Sequence, residues 1–188
     1  PVRQPQLRLG PWVTPEGLGR NDPELTPRGH AQAAAVAARL ADHGEEPAPG
    51  PVDVLLRSPA VRARQTAAPI EAALGQEASE EAWLLEIGNP PAWEGAPIDD
   101  IDAAFREIRG RSLADMWDGI PGGEPIRDFH TRVIDGLEAH LASLGVRRAE
   151  QPGLWDVAPD APDRVVAVAH AGTNSTIIAH LLGLAPEP

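Results

Sequence analysis

Two short runs of apolar, largely β-branched residues predict buried strands, one at 52–56 and one at 164–169. Continuous apolar runs of this length are typical of strands that are covered on both faces of a parallel sheet. Between them, apolar residues recur at three- and four-residue steps, most clearly over 124–144, which predicts amphipathic helices. Strands that alternate with helices predict an α/β fold, a three-layer α/β/α sandwich with a mostly parallel sheet.

Capping residues and glycines mark where other helices begin and end. Thr26 and Pro27 can cap and open a helix, the alanine-rich run that follows extends to about Leu40, and Gly44 is a stop signal. Similar signals predict helices at 58–74, 98–110 and 173–182. Segments rich in proline and glycine predict irregular structure at 1–24, 83–97 and 147–163.

The composition limits the classes of protein to which this chain can belong. Its 188 residues suit a single domain with one core. Acidic residues outnumber basic ones by 28 to 16, the net charge is −12, and lysine is absent. Because nucleic-acid binding needs a basic surface, we expect no nucleic-acid partner. No apolar stretch reaches the roughly 18 residues that span a bilayer, so we expect no membrane partner.

Cysteine is also absent, which excludes disulfides, thiolate metal sites and cysteine nucleophiles. A cysteine-free chain is compatible with the cytoplasm, and we predict a cytoplasmic protein. The sequence has no paired-histidine metalloprotease motif, no serine elbow, no P-loop and no dinucleotide-binding fingerprint. We therefore predict neither a metal nor an organic cofactor.

A histidine follows the second predicted strand directly. In an open α/β sheet, ligands bind at the carboxyl ends of strands, and the N-terminus of the next helix presents backbone N–H groups to anions. His170 lies at such an end, followed by Ala171, Gly172 and a helix start at Thr173. With an ordinary pKa near ~6.5, its imidazole can give a proton or a hydrogen bond to a phosphoryl oxygen. The alternative is a structural histidine bonded to a nearby carbonyl group.

An arginine occupies the equivalent position after the first predicted strand. Arg62 lies in the first turn of the helix that begins near Ser58, where its planar guanidinium is suited to phosphate. A positive charge is slightly unfavourable at a helix N-terminus, and this cost favours a functional role. The alternative is a solvated ion pair with Glu71 or Asp53.

Four segments match, in order, the pattern of one known family. Residues 22–33, DPELTPRGHAQA, are similar to its D-x-x-L-T-x-x-G-x-x-Q-A helix entry, and residues 58–67, SPAVRARQTA, to its S-P-x-x-R-A-x-Q-T-A segment. Residues 85–95 are similar to its L-x-E-x…W-E-G loop, and residues 166–172 to its V-V-x-H-G-G strand end; a Gly-Gly-Glu turn at 122–124 also matches. Over about residues 20–185, the chain therefore resembles the histidine phosphatase superfamily, whose fold is phosphoglycerate-mutase-like.

The resemblance implies roles for particular residues. Arg62 would bind the phosphoryl group, His170 would be the second catalytic histidine, and Glu86 would protonate the leaving oxygen. The backbone N–H groups of Ala171 and Gly172 would face phosphate. The implied reaction moves a phosphoryl group from a small phosphorylated metabolite to a histidine, and then to water or back to the substrate, without a metal. For Glu86, the alternative is a loop carboxylate in water.

The element that defines the family has no counterpart in this sequence. It is an N-terminal strand that ends Arg-His-Gly or Arg-His-Ala and carries the nucleophilic histidine, whereas this chain contains no Arg-His pair. The other histidines fall in predicted helices or at a helix end: His30, His43, His130, His140 and His180. We therefore expect residues 1–188 to be one histidine-phosphatase-like domain that lacks its N-terminal strand. The alternative is a non-catalytic pseudophosphatase that binds a phosphorylated ligand.

These assignments predict two features of the structure. Arg62, His170 and Glu86 should meet in one cleft at the carboxyl edge of the sheet. A lacking strand should leave either a gap between the strands at 52–56 and 164–169 or a bare strand edge beside them. A continuous ladder between those strands without an exposed apolar groove would favour the pseudophosphatase.

Overall fold

The computed structural model describes residue 14, residues 16–42 and residues 50–184, except for the side chain of Leu113. Six α-helices lie within these residues: α1 Pro27–Ala41, α2 Val61–Leu74, α3 Ile98–Arg109, α4 Leu113–Met116, α5 Ile126–Ser143 and α6 Ala171–Leu181. The strands in the same part of the chain are β1 Val54–Arg57, β2 Ser79–Glu80, β3 Val146–Arg148, β4 Trp155–Val157 and β5 Val165–Val168. None of the described helices is long and apolar enough to cross a membrane.

The main sheet is parallel and has the strand order β2–β1–β5. The β1–β5 ladder runs from the pair Val54 and Val165 to the pair Arg57 and Val168. Strands β3 and β4 form a separate antiparallel hairpin. Parallel strands joined through helices confirm the predicted α/β class with its mostly parallel sheet.

The core lies on both faces of β1. Leu55 packs in a cluster with Ala37 of α1 and Ile70 of α2, and Val166 and Val168 of β5 border it. Leu56 points to the opposite face because side chains alternate along a strand. Both leucines are only 2% exposed, so helices and loops cover the sheet on both sides. Alanines on the buried faces of α1 and α2 let these two helices pack closely: Ala33, Ala37, Ala63 and Ala67.

Most predicted helices begin and end within three residues of their observed limits. Thr26 accepts a hydrogen bond from the Gly29 amide and caps α1, which ends at Ala41. The helix predicted from residue 124 begins at Ile126, after Pro125. The stop signal Gly44 lies outside the described residues, as do residues 1–13 and 15 of the segment predicted to be irregular. The described residues 16–24 contain only an isolated bridge between Leu18 and Pro97.

One prediction of irregular structure and one of strand limits were wrong, and one helix was not predicted. The segment 147–163 contains most of the β3–β4 hairpin, whose three-residue strands are too short to show a clear alternation. The short helix α4, which Ser112 caps, was not predicted. Strand β1 begins at Val54 and extends through Arg57, because Arg57 pairs with Val168 of β5 and with Glu80 of β2.

Strands β1 and β5 pair directly, so the predicted gap between them is wrong. The bare edge is what the described residues show, because none of them forms a strand on the other side of β5. There Val165 is 39% exposed and Ala167 is also exposed. The ladder is thus continuous, and it lies beside an exposed apolar edge.

Candidate active site

The structure brings Arg62, His170 and Glu86 to the walls of one cavity of about 280 Å³. The cavity lies at the carboxyl ends of β1 and β5, where α2 and α6 begin. Ala171 lines the same cavity, and Gly172 follows it in α6. The residues that the sequence singled out therefore converge, while their catalytic roles stay predictions.

His170 ends β5 and forms the N-cap of α6. Its Nε2 atom lies 2.8 Å from the Oγ atom of Ser58, which is fully buried at the end of β1. Burial lowers the pKa of His170 to about 4, and the positive charge of Arg62 adds to this against the opposing carboxylates Glu86 and Asp22. The imidazole is therefore neutral at pH 7, so it can give a hydrogen bond rather than a proton. Since Ser58 engages Nε2, the nitrogen left for a ligand is Nδ1.

Asp22 is a residue of this site that sequence reasoning missed. Its Oδ1 atom accepts a hydrogen bond from Nη1 of Arg62 at 3.1 Å. Both of its carboxylate oxygens also accept a hydrogen bond from the Val61 amide at 3.1 Å. A negative charge at the start of α2 offsets the unfavourable position of Arg62. Burial lowers the pKa of Arg62, while Asp22 and Glu86 oppose the shift, so the guanidinium stays charged.

The alternative partners considered for Arg62 were wrong. Glu71 binds Arg57, and the Asp53 carboxylate accepts the Arg164 amide at 2.9 Å. The signal for Asp22 was present as the first residue of the 22–33 segment. Its contact with Arg62 spans 40 residues of sequence, and no local pattern reports a contact of that kind.

Glu86 lies directly on the N-terminus of α6. Its Oε2 atom accepts the Gly172 amide at 2.8 Å, and its Oε1 atom accepts the Ile87 amide at 3.1 Å. A Cβ atom at position 172 would lie 2.5 Å from Glu86 Oε1, so any other residue there would force the carboxylate to shift. Glu86 is thus not a loop carboxylate in water. In this structure Glu86 accepts the hydrogen bond of the Gly172 N–H group, which was predicted to face phosphate.

A clasp of Arg132 and Glu124 holds the loop that carries Glu86. Arg132 Nε and Nη2 each donate to a Glu124 carboxylate oxygen at 2.9 Å, and Nη1 donates to the carbonyl oxygens of Trp83 and Leu85 at 3.1 and 3.2 Å. Glu124 in turn pairs with Gly88 through two hydrogen bonds, one from its own amide at 2.8 Å and one to its carboxylate at 2.9 Å. Loop 82–88 is therefore fixed from α5.

The charge of Glu124 depends on that clasp. Burial alone would raise the pKa of Glu124, but the hydrogen bonds from Arg132 and Gly88 outweigh burial and lower it. The sequence marked Glu124 only as part of a Gly-Gly-Glu turn and gave it no role. Arg132 follows eight residues later in a helix without any local signal.

A second cavity of about 750 Å³ adjoins the first, and Arg62 and Glu86 line both. Most of its wall is apolar and comes from the loop after β2 and from α3: Leu85, Ile87, Trp93, Ile98, Ile101 and Phe105. Among the described residues, no group of three or more histidine, aspartate or glutamate side chains could hold a metal ion.

The fold and the site together define the class of this protein. A sequence model described as the Histidine phosphatase superfamily (branch 1) matches residues 15–188, and the chain belongs to that family. The resemblance seen in the four sequence segments is thus confirmed. Comparison with curated protein sequences gives no match.

Solved structures with the same fold include several phosphatases. A structure described as mycobacterial hydrolase 1 is 28% identical with a TM-score of 0.61, and the match covers 89% of this chain and 73% of that one. A mycobacterial glucosyl-3-phosphoglycerate phosphatase in complex with inorganic phosphate is also 28% identical, with a TM-score of 0.62 over 92% and 76% of the two chains. The α-ribazole phosphatase of Shigella flexneri, 22% identical, has a TM-score of 0.62 over 90% and 74% and shows likeness of fold alone.

Proposed function

We propose that this protein is a phosphatase of small phosphorylated metabolites that works through a phosphohistidine intermediate. The observation that carries the proposal is the meeting of Arg62, His170 and Glu86 in one cavity at the carboxyl edge of the sheet. Membership of the superfamily and the similarity to the mycobacterial phosphatase support it. We further propose a cytoplasmic location, which the cysteine-free composition supports.

In the proposed reaction, a histidine nitrogen attacks phosphorus in line while the bond to the leaving oxygen breaks. Arg62 binds two of the remaining phosphoryl oxygens with its planar fork, and neutral His170 gives a hydrogen bond. Glu86 in its protonated form gives its proton to the leaving oxygen. Water then attacks phosphorus while the bond between phosphorus and the histidine nitrogen breaks, Glu86 takes up a proton from the water, and phosphate and the free histidine are released.

The nucleophile must come from outside these 188 residues in this proposal. The described histidines other than His170 are placed elsewhere: His30 is in α1, His130 packs against Trp117, His140 against Trp83, and His180 on Glu138. His43 lies outside the described residues. We propose that residues 1–188 form one domain and that a further parallel strand lies along the open edge of β5. The carboxyl end of such a strand would lie beside His170.

The test is to extend the chain with the upstream codons of its gene and to assay phosphate release from para-nitrophenyl phosphate with a chelator present. We expect turnover in the extended protein and none in the 188-residue chain. The His170→Ala variant of the extended protein should lose ~10²–10³ in kcat with little change in KM. Full activity of that variant would remove His170 from the mechanism, and loss of activity with the chelator would contradict the metal-independent reaction.

A pseudophosphatase remains the second candidate, and one observation favours it. The groups that would bind phosphate already have internal partners, since Asp22 binds Arg62 and Glu86 binds the Gly172 amide. An upstream sequence without an Arg-His pair, together with binding of orthophosphate and no turnover, would support this alternative. An Arg-His strand that restores turnover would exclude it.

A further inference from the structure

The larger cavity is placed where the organic part of a phosphomonoester would lie. It shares Arg62 and Glu86 with the smaller cavity, so a phosphoryl group bound between them would direct its ester oxygen to the larger space. At about 750 Å³, that space is within the size range of small-molecule sites. Its chemistry therefore bears on which phosphomonoester the proposed phosphatase takes.

Several polar groups of this cavity are already engaged by neighbouring protein atoms. Arg132 donates two hydrogen bonds to the Glu124 carboxylate, and Asn21 Nδ2 donates to the Pro90 carbonyl oxygen at 3.3 Å. Asp22 accepts hydrogen bonds from Arg62 and from the first amide of α2. Engaged groups of this kind offer a ligand fewer new hydrogen bonds. Arg20 and Asn89 also line the cavity, and Arg20 is exposed.

The apolar wall, by contrast, is open to a ligand. The rings of Trp93 and Phe105 lie 5.1 Å apart at a tilt of 57°, and they form one continuous aromatic surface. Leu85 and Phe105 remain 37% and 38% exposed, so both side chains are accessible to a ligand. An apolar, flat ligand group should bind most tightly against such a wall, because burial of apolar area stabilises the complex and aromatic rings pack in tilted arrangements.

We infer that the substrate is a phosphomonoester whose leaving group is apolar and carries an aromatic ring. The ring packs against Trp93 and Phe105 of the larger cavity, while the phosphoryl group lies at Arg62. This inference rests on the proposed function, since it assumes that the smaller cavity holds the phosphoryl group.

Binding of phosphonates to the 188-residue chain tests the inference without requiring turnover. We would measure methylphosphonate, 2-phenylethylphosphonate and 3-phosphonopropionate by titration calorimetry. The aromatic compound should bind ~10- to 100-fold more tightly than methylphosphonate, because the cavity would remove a ring of apolar surface from water. Equal affinities would overturn the inference. Tighter binding of the carboxylated compound would also overturn it, because Arg20 rather than the aromatic wall would then set the preference.

Variants distinguish the contribution of the aromatic wall to affinity from that of the phosphoryl site. Phe105→Ala should abolish most of the aromatic preference and leave methylphosphonate affinity unchanged, and Phe105→Leu should keep an intermediate preference if the fold is intact. Leu154→Ala removes an apolar side chain, 53% exposed, outside the cavity and should change neither affinity. An unchanged preference in Phe105→Ala overturns the inference alone. If none of the three compounds binds, the phosphoryl site fails and the inference fails with it.

Discussion

The charge states and hydrogen bonds of the ionisable residues in the site are determined by their immediate neighbours. Arg62 stays charged beside Asp22, His170 is held neutral by burial and by Arg62, and Glu86 lies on a backbone amide. Each contact joins residues from different segments of the chain. The residue types could be read from the sequence, whereas their charges and partners depend on the fold.

Glu86 lies on the amide that was predicted to face phosphate, so its charge should oppose binding of an anion. Glu86→Gln removes a negative charge close to Arg62 and Gly172. We expect tighter binding of orthophosphate by ~3- to 10-fold, for a loss of about 1 kcal/mol of repulsion. In an extended, active protein the same variant should lose turnover, since an amide gives no proton to the leaving oxygen.

Isothermal titration with orthophosphate checks the first effect, and steady-state kinetics checks the second. Glu77→Gln is a matched control, because Glu77 is exposed and lines neither cavity. Weaker phosphate binding by Glu86→Gln would show that the carboxylate does not compete with the ligand.

His170 should make the stability of the fold depend on pH. Its pKa falls from an ordinary 6.5 to about 4 in the folded state, so the unfolded chain takes up the proton more readily. The contribution of neutral His170 to the free energy of unfolding is fully present above pH 6.5 and is lost progressively as the pH falls through 4. The loss is on the order of 3 kcal/mol.

Urea unfolding at several pH values between 4 and 7 measures this dependence. His170→Gln keeps an amide near Ser58 but does not titrate, so its free energy of unfolding should fall less steeply over that range. Other groups, including His130 with its own lowered pKa, contribute equally to both proteins. Parallel curves for the two proteins would contradict the neutral, buried state of His170.

At the scale of elements, the loop at 82–88 depends on α5 for its position. Arg132 reaches back over more than 40 residues of sequence to the carbonyl oxygens of Trp83 and Leu85. The Thr173 hydroxyl of α6, which is fully buried, donates to the Leu85 carbonyl oxygen at 3.0 Å. Two helices thus hold a segment whose only regular structure is a short 3-10 helix, Ala82–Leu84, and Glu86 is positioned from both sides.

Removal of the clasp should therefore cost stability and also displace Glu86. For Arg132→Ala we expect a loss of roughly 2–4 kcal/mol in the free energy of unfolding, because Glu124 and the loop carbonyls lose their donors. Arg127→Ala is a matched control on the same helix, where an exposed pair with Asp118 should contribute at most ~1 kcal/mol.

Urea unfolding gives the two losses, and the NMR signal of the Gly172 amide reports whether Glu86 still accepts its hydrogen bond. We expect that signal to move in Arg132→Ala and to stay in place in Arg127→Ala. Equal losses in both variants, with an unmoved Gly172 signal, would mean that the loop does not need Arg132.

The sequence predicted those elements whose signals are local and strong. Helix α1 followed from its Thr-Pro start and alanine run, and β5 from its continuous β-branched residues. The β3–β4 hairpin could not be predicted, because its short strands are fixed by packing on α5 rather than by their own pattern. Arg62 and His170 were predicted from their places after strands and from the family segments, Glu86 from its segment alone, and their catalytic roles stay predictions. Asp22 and Arg132 were missed because their partners are distant in sequence.

At the scale of the whole molecule, the edge of β5 that none of the described strands pairs is the feature that separates the two functional hypotheses. An unpaired strand edge presents backbone groups that another strand can bind. If the proposed additional strand lies there, the outward-facing amides of β5 should exchange quickly with deuterium in the 188-residue chain and slowly in the extended protein. Hydrogen exchange followed by NMR or mass spectrometry checks this. Amides that are already protected in the shorter chain would place the additional strand elsewhere.

The contact between Glu86 and the Gly172 amide also bears on how a cycle of turnover would end. If phosphate binds at the start of α6, as proposed, its departure would uncover a polar N–H group, and an uncovered group resists the departure of its ligand. Here the carboxylate can return to that amide at 2.8 Å as the ion moves out. The enzyme would then exchange one oxygen partner for another, and product release would have a lower barrier than in a site that must wait for water.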